Sequence, residues 1–138
     1  LISMEECKKN RYLRKAPVDV RAAEVFLQKA RRWLDVAYLL KRESPDYTSE
    51  IAATVYNVFL HASQAFMALK GMKATKHICM IWYVIEHVPL SGIERIFLNL
   101  YEFRNTMYYT ATPGTIGDLD DILKVASEFV DWVDSLLS

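Results

Sequence analysis

Apolar residues return at intervals of three and four along most of the chain, which is the spacing of one face of an α-helix and not the alternation of a strand. Asp19 is a cap residue. After it, Ala23, Phe26, Leu27, Ala30, Trp33, Leu34, Ala37, Tyr38 and Leu40 predict a helix to about residue 42, ended by Ser44, Pro45 and Asp46. A second helix is predicted from Thr48 or Ser49 to Lys70, closed by Gly71, with Ile51, Val55, Val58, Phe59, Ala62, Ala65, Phe66 and Leu69 on its stripe. A shorter helix spans about 76–87 and stops before Pro89. Ser91, with Glu94 three residues on, predicts a capping box for a fourth helix that runs to about 110, before the sequence ATPGT. The last helix spans about 118–137, with Asp118, Asp120 and Asp121 at its positive end.

No strand signal is strong enough to build a sheet. The expected architecture is all-α, an up-and-down four-helix bundle with room for one short additional helix. Residues 1–17 hold charges around isolated Tyr12 and Leu13 and are expected to form a basic arm or that short helix. Residues 18–138 form the bundle domain. A chain of 138 residues with 52% hydrophobic content is long enough for one real core.

Net charge is zero, which removes any global argument for a nucleic-acid partner, but the charges are unevenly placed. Residues 1–43 hold eleven Lys and Arg against six Asp and Glu; residues 118–138 hold one Lys against six acids. Ends of opposite sign can pair within the fold or across a dimer, or stand as solvated faces. Cys7 and Cys79 form no disulfide framework, and neither has a second thiol at metal-ligand spacing, so a reducing, cytoplasmic setting is expected. No apolar run reaches the length of about 20 residues needed to cross a bilayer, so no membrane partner is expected.

One turn of the fourth helix stands out. In LNLYEFRNTMYYT, residues 98–110, Ile93, Phe97, Leu100, Arg104 and Tyr108 share a face, so a guanidinium is carried on an apolar stripe toward an interior, an interface or a pocket. Such a charge needs partners. It either pairs with a carboxylate, Glu50 or Glu86 in the bundle or Glu102 of a neighbouring molecule, or holds a phosphate, which a rigid planar fork of donors recognises well. Asn105, Tyr108 and Tyr109 bring polar groups to the same turn, and the two tyrosines, being adjacent, cannot occupy one face. On the second helix Asn57, His61 and Gln64 form a polar stripe beside small residues and could face Arg104 across a groove. His77 and His87 flank the short helix and read as surface residues. There is no P-loop, dinucleotide-binding glycine pattern, HExxH motif or paired carboxylate signature, so neither a cofactor nor a metal is expected.

From about Val20 to Leu137 the chain resembles the HEPN family, the higher-eukaryote and prokaryote nucleotide-binding helical domains, and within it the small prokaryotic members associated with minimal nucleotidyltransferases. AEVFLQKARRWLDVAYLL is similar to the first long helix of that family. YTSEIAATVYNVFLHASQAFMALKG is similar to the second, with a tyrosine in its middle, small residues and a closing glycine, and the arginine motif and final amphipathic helix follow in order. The resemblance implies a homodimer that brings two arginine motifs into one cleft, and a nucleotidyltransferase partner in a toxin and antitoxin pair. Ribonuclease members carry a histidine after the arginine with four to six residues between; Tyr109, Thr110 and Ala111 stand at the three corresponding positions, 109–111. Another branch has a tyrosine matching Tyr109, and in some relatives the cognate enzyme modifies a tyrosine near the motif, which implies Tyr108 or Tyr109 as the target. The expected function is therefore nucleotide or RNA binding in a dimeric groove centred on Arg104, with metal-independent RNA cleavage disfavoured and a noncatalytic helical scaffold as the alternative. The basic N-terminal region would add an RNA-binding surface only if its charges cluster in space.

Overall fold

The computed structural model describes residues 1–109 and 117–138, the side chains of 107–109 excepted. Its elements in order are α1 (Met4–Lys9), β1 (Leu13–Lys15), α2 (Val20–Glu43), α3 (Thr48–Lys70), β2 (Met72–Ala74), α4 (His77–His87), α5 (Ile93–Tyr109) and α6 (Leu119–Leu137). α2, α3 and α6 begin and end where their sequence signals stand. Asp19 Oδ1 accepts from the backbone N–H of Ala22 at 2.9 Å to cap α2, and Asp118 Oδ1 accepts from that of Asp120 at 2.9 Å to cap α6. At the other end of α3, Gly71 takes φ +65°, and a Cβ built there would lie 2.9 Å from the carbonyl oxygen of Ala16. Only glycine meets both demands.

α3 is the central helix. Residues on several of its sides are buried, from Ile51 and Tyr56 through Phe59 to Phe66, and it packs against α2, α4, α5 and α6. Its most extensive contact is with α2, whose buried seam is Ala23, Leu27, Ala30, Leu34 and Ala37. Alanine at every seventh position lets the two helices approach closely. An aromatic hub joins three helices: Phe59 lies 5.0 Å from Phe97 of α5 and 5.7 Å from Phe129 of α6, centre to centre.

The expectation of an up-and-down four-helix bundle is corrected. The described residues form six helices and a two-stranded antiparallel sheet in which Leu13 pairs with Ala74, Arg14 with Lys73 and Lys15 with Met72. Strands of three residues are too short to show a period of two, and their pairing depends on segments far apart in the chain, so no local pattern announces them. α1 is likewise too short for periodicity; Ser3 and Glu6 form its capping box. α5 starts at Ile93, and Gly92, at φ +83°, supplies the carbonyl that accepts from the Ile96 N–H at 3.0 Å. The start thus falls later than a Ser91 cap implies, because glycine alone takes that left-handed φ freely.

The cysteine expectation is corrected as well. Cys7 and Cys79 are bonded to one another, with Cα atoms 5.6 Å apart across a separation of 72 residues, and the bond fastens α1 to α4. Both residues are buried in the core. The indole N–H of Trp82 on α4 also donates to the carbonyl of Ile2 at 2.8 Å, so the N-terminal segment is held at two points.

The acidic C-terminal helix finds its counter-charges on α2 and α5. Arg31 meets Asp134 at 3.0 Å, Arg95 meets Asp121 at 3.0 Å, and Lys41 pairs with Asp120. None of these partners comes from residues 1–17. No described helix is long and apolar enough to cross a membrane.

Candidate functional site

Arg104 lies on the stripe of α5 that carries its buried residues. Ile93, Phe97 and Leu100 are buried on that stripe, and Arg104, one turn further on, is half-buried. Its guanidinium carbon stands 5.1 Å from the centre of the Tyr56 ring, within the reach of a cation–π contact. Packing of α3 on α5 brings the two together, since Tyr56 also meets Phe97 edge-on at 6.3 Å. The Tyr56 hydroxyl in turn contacts Nδ1 of His77, the first residue of α4, at 3.5 Å. Three helices thus each place one polar side chain at a single point.

The electrostatics of the cluster follow from its depth. Burial pushes the Tyr56 phenol up to about 12, against the opposing pull of the Arg104 charge and with a smaller upward contribution from Tyr101. It remains a neutral hydroxyl at physiological pH. His77 is held below its ordinary 6.5, first by burial and then by Arg104. Although His77 as a residue is exposed, its Nδ1 side is packed against Tyr56, and that is where burial acts. With Nδ1 engaged, Nε2 is the nitrogen left for an outside partner. Near neutrality the cluster is one fixed cation, one neutral hydroxyl and one neutral imidazole: a guanidinium suited to a phosphate beside a base able to accept a proton.

The other residues expected at the site are distributed differently. Asn105, next to Arg104 on α5, and Asn57 on α3 are half-buried. The side chains of Tyr108 and Tyr109 lie outside the described residues, as do positions 110 and 111. His61 is drawn toward α2: its ring stacks on Phe26 at 6.4 Å, and its Nδ1 donates to Gln64 Oε1 at 2.8 Å. It lines a recess of about 450 Å³ with Lys29, Arg32, Trp33 and Val36. The contacts of His61 are therefore with α2 and its own helix, while Gln64 of the same stripe lines a recess together with His77. His87, the other flanking histidine, donates from Nδ1 to the Tyr83 carbonyl at 2.8 Å and stacks on that ring.

Tyr56 and His77 are the two residues sequence reasoning missed as site candidates. Tyr56 carried a signal, a hydroxyl among the apolar positions of the second helix. His77 carried none, because its place beside Arg104 arises only when α4 and α5 pack on the same helix. Among the described residues no three His, Cys, Asp or Glu side chains gather in a way that could hold a metal ion. No family model matches the chain, and no curated protein or solved structure is found to be similar to it.

Proposed function

We propose that this chain is a HEPN-like component that binds a nucleotide or RNA by its phosphate at Arg104, in a groove shared by two copies, and works with a minimal nucleotidyltransferase in a toxin and antitoxin pair. The observation that carries the reading is the Arg104 guanidinium laid on the Tyr56 ring, with His77 at the Tyr56 hydroxyl. A cation so held loses little side-chain freedom when it meets a phosphate, which favours binding. The cytoplasmic setting belongs to the same reading, and thiol alkylation of intact cells then shows whether Cys7 and Cys79 are bonded there.

Titration calorimetry with AMP and ADP at pH 7 tests the site. Arg104→Ala is expected to weaken binding about 10- to 100-fold, the size of a lost charged hydrogen bond. Equal affinity in a variant that sediments and folds like wild type overturns the proposal.

One observation favours a second reading, metal-independent RNA cleavage: His77 puts an imidazole beside Arg104 that positions 109–111 lack. In that step the ribose 2′-hydroxyl attacks the adjacent phosphorus and gives its proton to the imidazole. The bond from phosphorus to the 5′ oxygen breaks, that oxygen takes a proton from water, and Arg104 stabilises the charge on the phosphoryl oxygens. A base must be neutral to act. Since His77 is held below 6.5, the rate is expected to climb with pH through a value under 6.5 and then level off, and His77→Ala is expected to remove this limb. A wild-type rate in His77→Ala, or one flat with pH, excludes the reading.

A further inference from the structure

The sheet gathers charge that the chain keeps in two separate stretches. Residues 8–15 contribute Lys8, Lys9, Arg11, Arg14 and Lys15, and residues 70–76 contribute Lys70, Lys73 and Lys76; together these are eight of the seventeen Lys and Arg, and neither stretch holds an acid. Pairing of β1 with β2 brings the two stretches side by side, and all eight side chains are exposed. Arg14 faces Lys73 directly across the strands. Like charges in that position are destabilising, so the stability of the fold does not account for them. The acids nearest in the chain are largely engaged elsewhere: Asp19 caps α2 and Glu6 completes the Ser3 capping box, leaving Glu5. The surplus acid of α6 pairs with α2 and α5 and does not reach the ribbon.

A groove of about 360 Å³ adjoins this ribbon and reaches His77. Lys73 and Lys76 line its basic end, and His77, which touches Tyr56 beneath Arg104, also lines it. Phe26, Met67 and Gln64 complete its walls with an aromatic ring, an apolar side chain and an amide. The volume is that of a pocket for one small ligand, such as a single nucleotide unit. A positive track for backbone phosphates beside a recess that offers a ring is the arrangement by which a single strand is held.

We infer that the β1–β2 ribbon and the adjoining groove form a binding track for single-stranded nucleic acid, delivering one of its phosphates to Arg104. The inference rests on the Arg104 reading for its endpoint, while the ribbon is a separate set of contacts. It makes a strand the preferred ligand, with a mononucleotide held at the Arg104 end alone, and it makes strand binding depend steeply on salt, since each neutralised phosphate releases counterions.

Fluorescence anisotropy with a labelled twelve-nucleotide RNA, over a range of salt, and calorimetry with AMP separate the two parts. The variant carries Arg14→Glu and Lys15→Glu, both exposed and outside the groove. The first change sets an opposite charge across from Lys73, so the ribbon keeps its fold, which circular dichroism checks. RNA affinity is expected to fall at least tenfold and the slope of log affinity on log salt to shrink by about 1.4, the value for two contacts on a single strand, with AMP affinity unchanged. If RNA affinity and salt slope both stay at wild-type values, the inference is overturned. It is also overturned if the wild type binds vesicles of phosphatidylcholine and phosphatidylserine but not the RNA. If the double variant loses RNA while Arg104→Ala leaves AMP binding intact, the ribbon stands and the Arg104 reading falls.

Discussion

Reduction of the Cys7–Cys79 bond is expected to lower the midpoint of thermal unfolding by on the order of 10 to 15 °C. The bond closes a loop across 72 residues. In the chain-entropy account, a link over that length removes about 4 kcal/mol of freedom from the unfolded ensemble. Domains of this size are stable by only about 5 to 15 kcal/mol, so the link is a large share of the whole. Its loss also frees α1, whose other ties are the Trp82 hydrogen bond and the strand that follows it. Thermal unfolding followed by circular dichroism, with and without dithiothreitol, measures the effect. The variant with Cys7→Ala and Cys79→Ala should start at the lowered midpoint and ignore the reductant. A wild type indifferent to dithiothreitol, with two thiols open to alkylation once unfolded, shows that the bond does not form in solution.

Phe59→Ala is expected to cost about 3 to 5 kcal/mol, the range for removing a buried aromatic side chain. Phe59 is fully buried and meets Phe97 and Phe129, so its loss opens a cavity where three helices converge. The neighbouring rings can relax only partly, because each is held by its own helix. Phe97 also carries the edge contact to Tyr56, and the platform under Arg104 should loosen with it. Urea unfolding should show a lower midpoint with little change in slope. Trp33→Ala on the outer face of α2, 37% exposed, is the control and should shift the midpoint far less. A Phe59→Ala protein as stable as wild type would place the core elsewhere.

The hub and the disulfide differ in how far the sequence reveals them. Phe59 falls on the apolar stripe of the second helix, and Phe97 and Phe129 fall on stripes of their own, so membership of the core is legible at once. The disulfide is not legible, because two cysteines 72 positions apart carry no mark of their eventual distance. The candidate site divides in the same way. Arg104 declares itself as a charge on an apolar face, whereas His77 sits at the head of a different helix and His61, an equally plausible candidate on spacing, turns toward α2. The charge imbalance of the N-terminal third is visible in the composition, but whether those charges cluster depends on which segments lie beside them.

Spacing and caps alone specify the five helices α2 to α6, their described boundaries to within a residue or two, and the buried faces they present. Each of those properties is local: a face repeats every three to four residues, Asp19 caps its own helix, and Gly71 ends its own. Packing alone decides the rest: the pairing of Leu13–Lys15 with Met72–Ala74, the bond between Cys7 and Cys79, the meeting of Arg104 with Tyr56 and His77, and the joining of two basic stretches through one ribbon. Those features join residues from distant parts of the chain, and no window short enough to show a period contains both partners.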